Sequence, residues 1–139
     1  MEPLDLRNGP PRSPRAELGG IVFLPRSIDK LRATLPGGSI GAYAIPGFTE
    51  MMLEQLGISL ADTVEAVRRA TSDGDVLAFV SARTTPERIA AWNAFISVRE
   101  PAGGDRVVAI QRYPFLAERP DLVVALDVLA EDDRRAFVP

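Results

Sequence analysis

NGPPRSPRAELGGIVFLPRSIDKLRATLPGG, residues 8–38, holds the clearest helix signal of the chain and a concentrated group of charged side chains. Ile21, Leu24, Ile28, Leu31 and Leu35 fall at steps of 3, 4, 3 and 4, the repeat that lines apolar side chains along one helical face. Pro25 suits a first turn, where a missing amide hydrogen sacrifices no intrahelical bond. Pro36, Gly37 and Gly38 stop the run. The spacing therefore predicts a helix over 25–35. Upstream, Ser13 and Pro14 read as an N-cap and a helix-initial proline, predicting a further short helix that Gly19 and Gly20 weaken or end. Residues 1–12 carry Pro3, Pro10, Pro11 and an Asn8-Gly9 turn signal, which predicts an extended arm.

Working outward, the middle of the chain reads as short capped helices. Thr49 opens one bearing Met52, Leu53 and Leu56, closed by Gly57. Ser59 with Asp62, and Ser72 with Asp75, have the spacing of capping boxes. Thr85 and Pro86 start a helix with Ile89, Trp92 and Ile96 inward; Trp92 is expected in the core and Asn93 tying down a loop. Residues 100–104, with a proline and two glycines, form a break. VVAI at 107–110 and LVVALDVL at 122–129 are β-branched enough for strands. Leu122, Val123, Leu126, Leu129 and Ala130 also fit a helical face, with Pro120 suited to its start, so both segments are taken as helices. The expected fold is all-α: about six short helices in one compact domain over residues 13–139, with the arm 1–12 across its surface.

Composition narrows the chemistry. The 139 residues include no cysteine and no histidine, which removes thiolate and imidazole triads and the corresponding zinc sites. No phosphate-binding glycine loop is present, and only an all-carboxylate metal site stays open; Glu131, Asp132 and Asp133, the densest acidic run, point three ways on a helix and read rather as a solvated charged end. No metal or cofactor is expected. A net charge of −3 argues against nucleic acid. No apolar run reaches the length of a membrane span. The N-terminal residues lack the apolar core of a secretory signal, so the expected location is the cytoplasm.

The charge is uneven: residues 1–35 hold six basic and four acidic side chains. Lys30 is the only lysine beside fifteen arginines. On the helix predicted at 25–35, Arg26, Asp29 and Lys30 stand at i, i+3 and i+4 on one face. Asp29 is then within reach of Arg26, and a lysine beside a guanidinium loses preference for its charged form, the condition for a base or Schiff-base nucleophile. A structural network tying the proline arm to the helix is the first reading of this cluster; as a site, Arg12, Arg15, Arg26, Asp29, Lys30 and Tyr43, the last in a glycine-flanked loop, are the candidate ligand-binding residues, and Lys30 the candidate catalytic one. The expected partner is a small anionic ligand, a carboxylate or phosphate, or an acidic protein segment. Oligomeric state is not encoded legibly.

Ser13-Pro14-Arg15, Leu18-Gly19-Gly20, Leu24-Pro25-Arg26 and Asp29-Lys30-Leu31-Arg32-Ala33, followed by Tyr43 and the tail LDVLAEDDRRAF, resemble a bacterial family of uncharacterised proteins, one of the domains of unknown function. The resemblance covers nearly the whole chain and implies a helical middle and an acidic C-terminal turn, in which Asp132, Asp133 and Arg134 correspond. It departs at Arg134 and Arg135, where a glycine before the arginine is the family's pattern. No activity comes with it. The sequence therefore points first to a small cytoplasmic binding or interaction domain, and second to an enzyme using Lys30 as general base or nucleophile.

Overall fold

The computed structural model describes residues 1–137. Its contacts divide the chain into two units, Met1–Asn93 and Ala94–Pro139. Among the described residues there are seven α-helices and a single two-stranded ribbon, so the fold class is all-α.

In the first unit a hairpin of β1 (Glu17–Leu18) and β2 (Ile21–Val22) precedes α1 (Leu24–Ala33). α2 (Phe48–Leu56), α3 (Leu60–Arg69), α4 (Asp73–Ser81) and the start of α5 (Pro86–Val98) follow. The hairpin corrects the helix expected from Ser13. Ser13 and Pro14 instead make a tight turn, closed by Ala16 N–H on the Ser13 carbonyl at 3.0 Å and by Arg15 N–H on Ser13 Oγ at 3.2 Å. Gly19 and Gly20, at φ 58° and 75°, then form the two-residue connection that suits the twist of paired strands. A helix period cannot pass through two consecutive left-handed residues.

α1 begins at Leu24, with Pro25 in its first turn as expected. The seam Ile21, Leu24, Ile28, Leu31 and Leu35 is buried throughout. The helix stops at Ala33, two residues before the predicted end, and Thr34 and Leu35 close on the carbonyls of Leu31 and Arg32 in a tighter turn. The N-terminal segment runs against this end: Leu4 N–H donates to Arg32, and Leu6 N–H to Ser39, at 3.3 and 2.8 Å. Leu6 is itself buried. Gly38 permits this close approach, since a Cβ there would lie 2.7 Å from the Ala33 carbonyl oxygen and 2.9 Å from that of Leu4. Both obstacles are backbone and cannot rotate away. Gly38→Ala is expected to destabilise the chain by about 1–3 kcal/mol through overpacking, read as a lower urea midpoint at unchanged slope.

Capping follows the sequence in part. Ser59 Oγ accepts from Asp62 N–H, as its spacing predicts, and Gly57 closes α2 at φ 78°. Thr49, expected to open α2, lies inside it behind Gly47, and its buried hydroxyl shares a 2.9 Å hydrogen bond with Ser27 of α1. Asp75 accepts from the amide and hydroxyl of Thr71, so it secures the residues leading into α4. Asn93 accepts from Val22 N–H and donates to the Gly20 carbonyl, while Trp92 Nε1 donates to the Val22 carbonyl. Both backbone groups of Val22 are thereby satisfied by α5.

The second unit holds the end of α5, α6 (Arg106–Arg112) and α7 (Ala125–Ala136), with 3-10 turns at Pro101–Gly104 and Pro114–Ala117. Ala109, Leu116 and Val128 form its small core. VVAI is helical as expected, but LVVALDVL divides: residues 122–124 are non-helical and α7 starts at Ala125, not near Pro120. Arg106 explains the delay, donating to the carbonyls of Leu116, Arg119 and Leu122 and holding that connection open as a loop.

Candidate functional site

Almost every residue of α1 is buried, three of its four charged ones included: Arg26 is 2% exposed, Asp29 5% and Lys30 8%, with Arg32 half-buried. Burial of ionisable groups is costly unless each finds compensation, so their placement is constrained tightly. α1 rises from Phe23, a non-glycine residue at φ 76°. That conformation costs on the order of 1–3 kcal/mol and persists only where surroundings enforce it. Here it directs the Phe23 ring beneath the helix. Arg26 lies 5.9 Å and Lys30 Nζ 5.9 Å from that ring's centre, and Phe48 meets it edge-on at 6.0 Å. The Tyr43 ring, half-buried, stands 5.4 Å from the Arg26 guanidinium. The ring faces contribute an electrostatic attraction for both cations.

Asp29 captures the incoming arm. Its Oδ2 accepts from Arg12 N–H at 2.8 Å, and both its oxygens accept from the Arg12 guanidinium at 3.0–3.2 Å. Arg26 Nη1 donates to the Arg12 carbonyl at 3.3 Å. Two side chains of α1 thus grip the backbone of Arg12 on both sides. Arg12 continues outward to Asp73, at the start of α4, with contacts of 2.6 and 3.1 Å. Arg32 stands 3.8 Å from Asp29 and donates from Nε to the Glu2 carbonyl.

A cleft of about 520 Å³ opens over this network, with Leu4 and Pro10 on its apolar side and Arg12, Asp29, Arg32 and Asp73 on its polar side. Of the six predicted residues, Arg12 and Asp29 line the cleft. Arg26 stands behind Arg12, Lys30 and Tyr43 gather about Phe23 and Arg26, and Arg15 is exposed on the turn before the hairpin. Asp73 and Phe23 are not foreseen from the sequence, and Arg32, part of the same charged stretch, is not among the residues assigned to the site. Arg32 was legible, being three residues beyond Asp29; Asp73 lies 61 residues from Arg12 and leaves no local signal.

The Arg12 guanidinium holds the Asp73 carboxyl below its ordinary value, chiefly through the direct hydrogen bond, and Asp73 in turn raises Arg12. A carboxyl whose folded pKa is depressed stabilises the fold above its unfolded pKa and loses that contribution as pH falls through the folded value. The stability gap between the wild-type chain and Asp73→Asn is therefore expected to be constant near neutrality and to close below pH 3.8. Denaturant titrations at pH 7, 5, 4 and 3 check this; a gap that persists undiminished at pH 3 contradicts it.

Elsewhere the chain's charges are used differently. Glu131 accepts from Arg134 and Arg135, and the Arg134 contact holds its carboxyl down at about 2. Asp133, expected to be solvated, is buried. Among the described residues, no group of three metal-ligating side chains converges and no helix is long and apolar enough to cross a membrane.

Residues 8–135 match the family described as a domain of unknown function, DUF5069. The chain belongs to that family. The DUF5069 region takes in Arg12, all of α1, Asp73 and nearly all of α7, so the charged side chains of the cleft lie inside it, while Met1 and Leu4 of the cleft wall precede it. No curated protein sequence matches the chain.

Proposed function

We propose that this DUF5069 protein is a small binding domain of the bacterial cytoplasm that accepts an anionic ligand at the cluster around α1. The observation that carries the reading is the concentration of cations on one helix. Arg26 and Lys30 are enclosed on successive turns, Arg32 follows at the cleft, and Asp29 draws Arg12 onto the same wall. Enclosed cations act across a medium that screens them less than water does, so their field reaches the cleft. Arginine forks there match the paired oxygens of a carboxylate or phosphate. A cleft of this size suits a small metabolite better than a protein segment.

Thermal unfolding in the presence of succinate, citrate, inorganic phosphate and chloride tests the reading. A ligand at a hundred times its Kd stabilises by about 2.7 kcal/mol, which raises Tm by several degrees and more at higher concentration. At least one oxyanion should do this where chloride at equal ionic strength does not, and Arg32→Gln should weaken the response. Equal shifts for every salt would oppose the proposal.

The burial of Lys30 one turn from Arg26 favours a second reading, an enzyme in which Lys30 is general base or Schiff-base nucleophile on a small anionic substrate. Borohydride reduction with a panel of aldehydes and keto acids, followed by peptide mass mapping, distinguishes the two. A trapped adduct on Lys30 supports the enzyme; an unmodified Lys30 across the panel removes Schiff-base chemistry.

A further inference from the structure

The Arg12 guanidinium presents two edges to two carboxylates. Nε and Nη2 meet Asp29, while Nη1 and Nη2 meet Asp73. These partners differ in how freely they can be exchanged. The Asp29 side chain is 7% exposed and also holds the Arg12 amide, whereas the Asp73 side chain is 32% exposed at the rim of the cleft. Water can reach and replace Asp73, and ion pairs of that exposure hold their partners weakly. The two-pronged contact of Arg12 with Asp73 is the geometry in which a guanidinium takes a carboxylate from any source. From this we infer that Asp73 occupies the place of a ligand's carboxylate. A small carboxylic acid anion entering the cleft takes over the outer edge of Arg12 and displaces Asp73, with Arg32 as the second cation on the same wall.

This rests on the reading of the α1 cluster as an anion-accepting site. It adds the receiving atoms, the ligand class and a built-in competitor. Two carboxylates on one guanidinium leave no edge for a third, so a ligand must evict one, and the outer one is the less held. A planar pair of carboxylate oxygens reproduces what Asp73 does now. A dicarboxylate about the length of succinate has a second group to offer Arg32. The consequence is unusual for a residue lining a binding cleft: removing the Asp73 carboxylate should strengthen binding.

Isothermal titration of the full chain with succinate, and separately with inorganic phosphate, tests this for wild type, Asp73→Asn and Asp73→Ser. Serine at the start of α4 suits a helix N-terminus and guards against an asparagine amide that refills the Arg12 edge; circular dichroism confirms folding of each. Succinate affinity is expected to rise at least fivefold in both variants, and the gain to vanish when Arg12→Gln is added. If wild type binds succinate and neither variant binds it more tightly, displacement is overturned while the anion site stands. If phosphate gains as much as succinate, the carboxylate assignment is overturned. If no protein binds either anion, the underlying reading fails and this inference with it.

Discussion

Asp29→Ala is expected to cost about 3–5 kcal/mol of stability, from a backbone amide left without its acceptor together with the lost charge-assisted bonds to the part-exposed Arg12 guanidinium. The aspartate is 5% exposed and accepts from the Arg12 amide and the Arg12 guanidinium, with Arg32 3.8 Å away. Its loss leaves a backbone amide without its acceptor and removes a negative charge from the helix that also encloses Arg26 and Lys30. Cations there would then face one another with less compensation, and the arm would lose its attachment to α1. Asp29→Asn keeps the shape and removes the charge, so it should fall between wild type and alanine. Urea unfolding followed at 222 nm gives the number. A loss below about 1 kcal/mol for alanine would show the contact to behave like an ordinary surface pair.

Trp92→Ala should cost a similar amount, about 3–5 kcal/mol, by a different route. The indole is fully buried and donates from Nε1 to the Val22 carbonyl at 2.8 Å. Alanine leaves both a large void and an unsatisfied carbonyl at the strand that leads into α1. Trp92→Phe separates the two causes, retaining most of the volume while losing the donor, at about 1–3 kcal/mol for the orphaned carbonyl. The same pair of variants should speed hydrogen exchange at the β2 amides ahead of those of α1, because β2 loses part of its anchorage to α5. Equal losses for alanine and phenylalanine would mean that the hydrogen bond dominates and that packing contributes little.

How far the sequence predicts these features depends on the range of the interactions behind them. The α1 seam follows from residues three and four apart, and Ser59, Gly57 and Pro25 act on their own turns; all of these read correctly. The helix assigned to Ser13 failed because two glycines in series can serve a hairpin turn as well as a helix end, and the choice is made by Trp92 and Asn93, about seventy residues away. α7 starts late because the Arg106 guanidinium takes the carbonyls of the preceding loop, again a distant side chain deciding a local boundary. In the cluster, the shared face of Arg26, Asp29 and Lys30 was visible from spacing alone. The pairing of Asp29 with Arg12, the role of Asp73 and the left-handed Phe23 were not, since each depends on tertiary contacts that no local pattern encodes.

The central claim is that Arg12, brought to α1 by Asp29, meets an incoming anion with Arg32 at its side. The most direct measurement follows the Nε–Hε signals of the arginines by ¹⁵N-edited NMR while succinate is added to the wild-type chain. Arg12 and Arg32 are expected to move together along a saturable curve, while Arg68 and Arg135 on the surface of other helices stay nearly still. Unchanged Arg12 and Arg32 signals, or a uniform linear drift of every exposed arginine with salt, would contradict it.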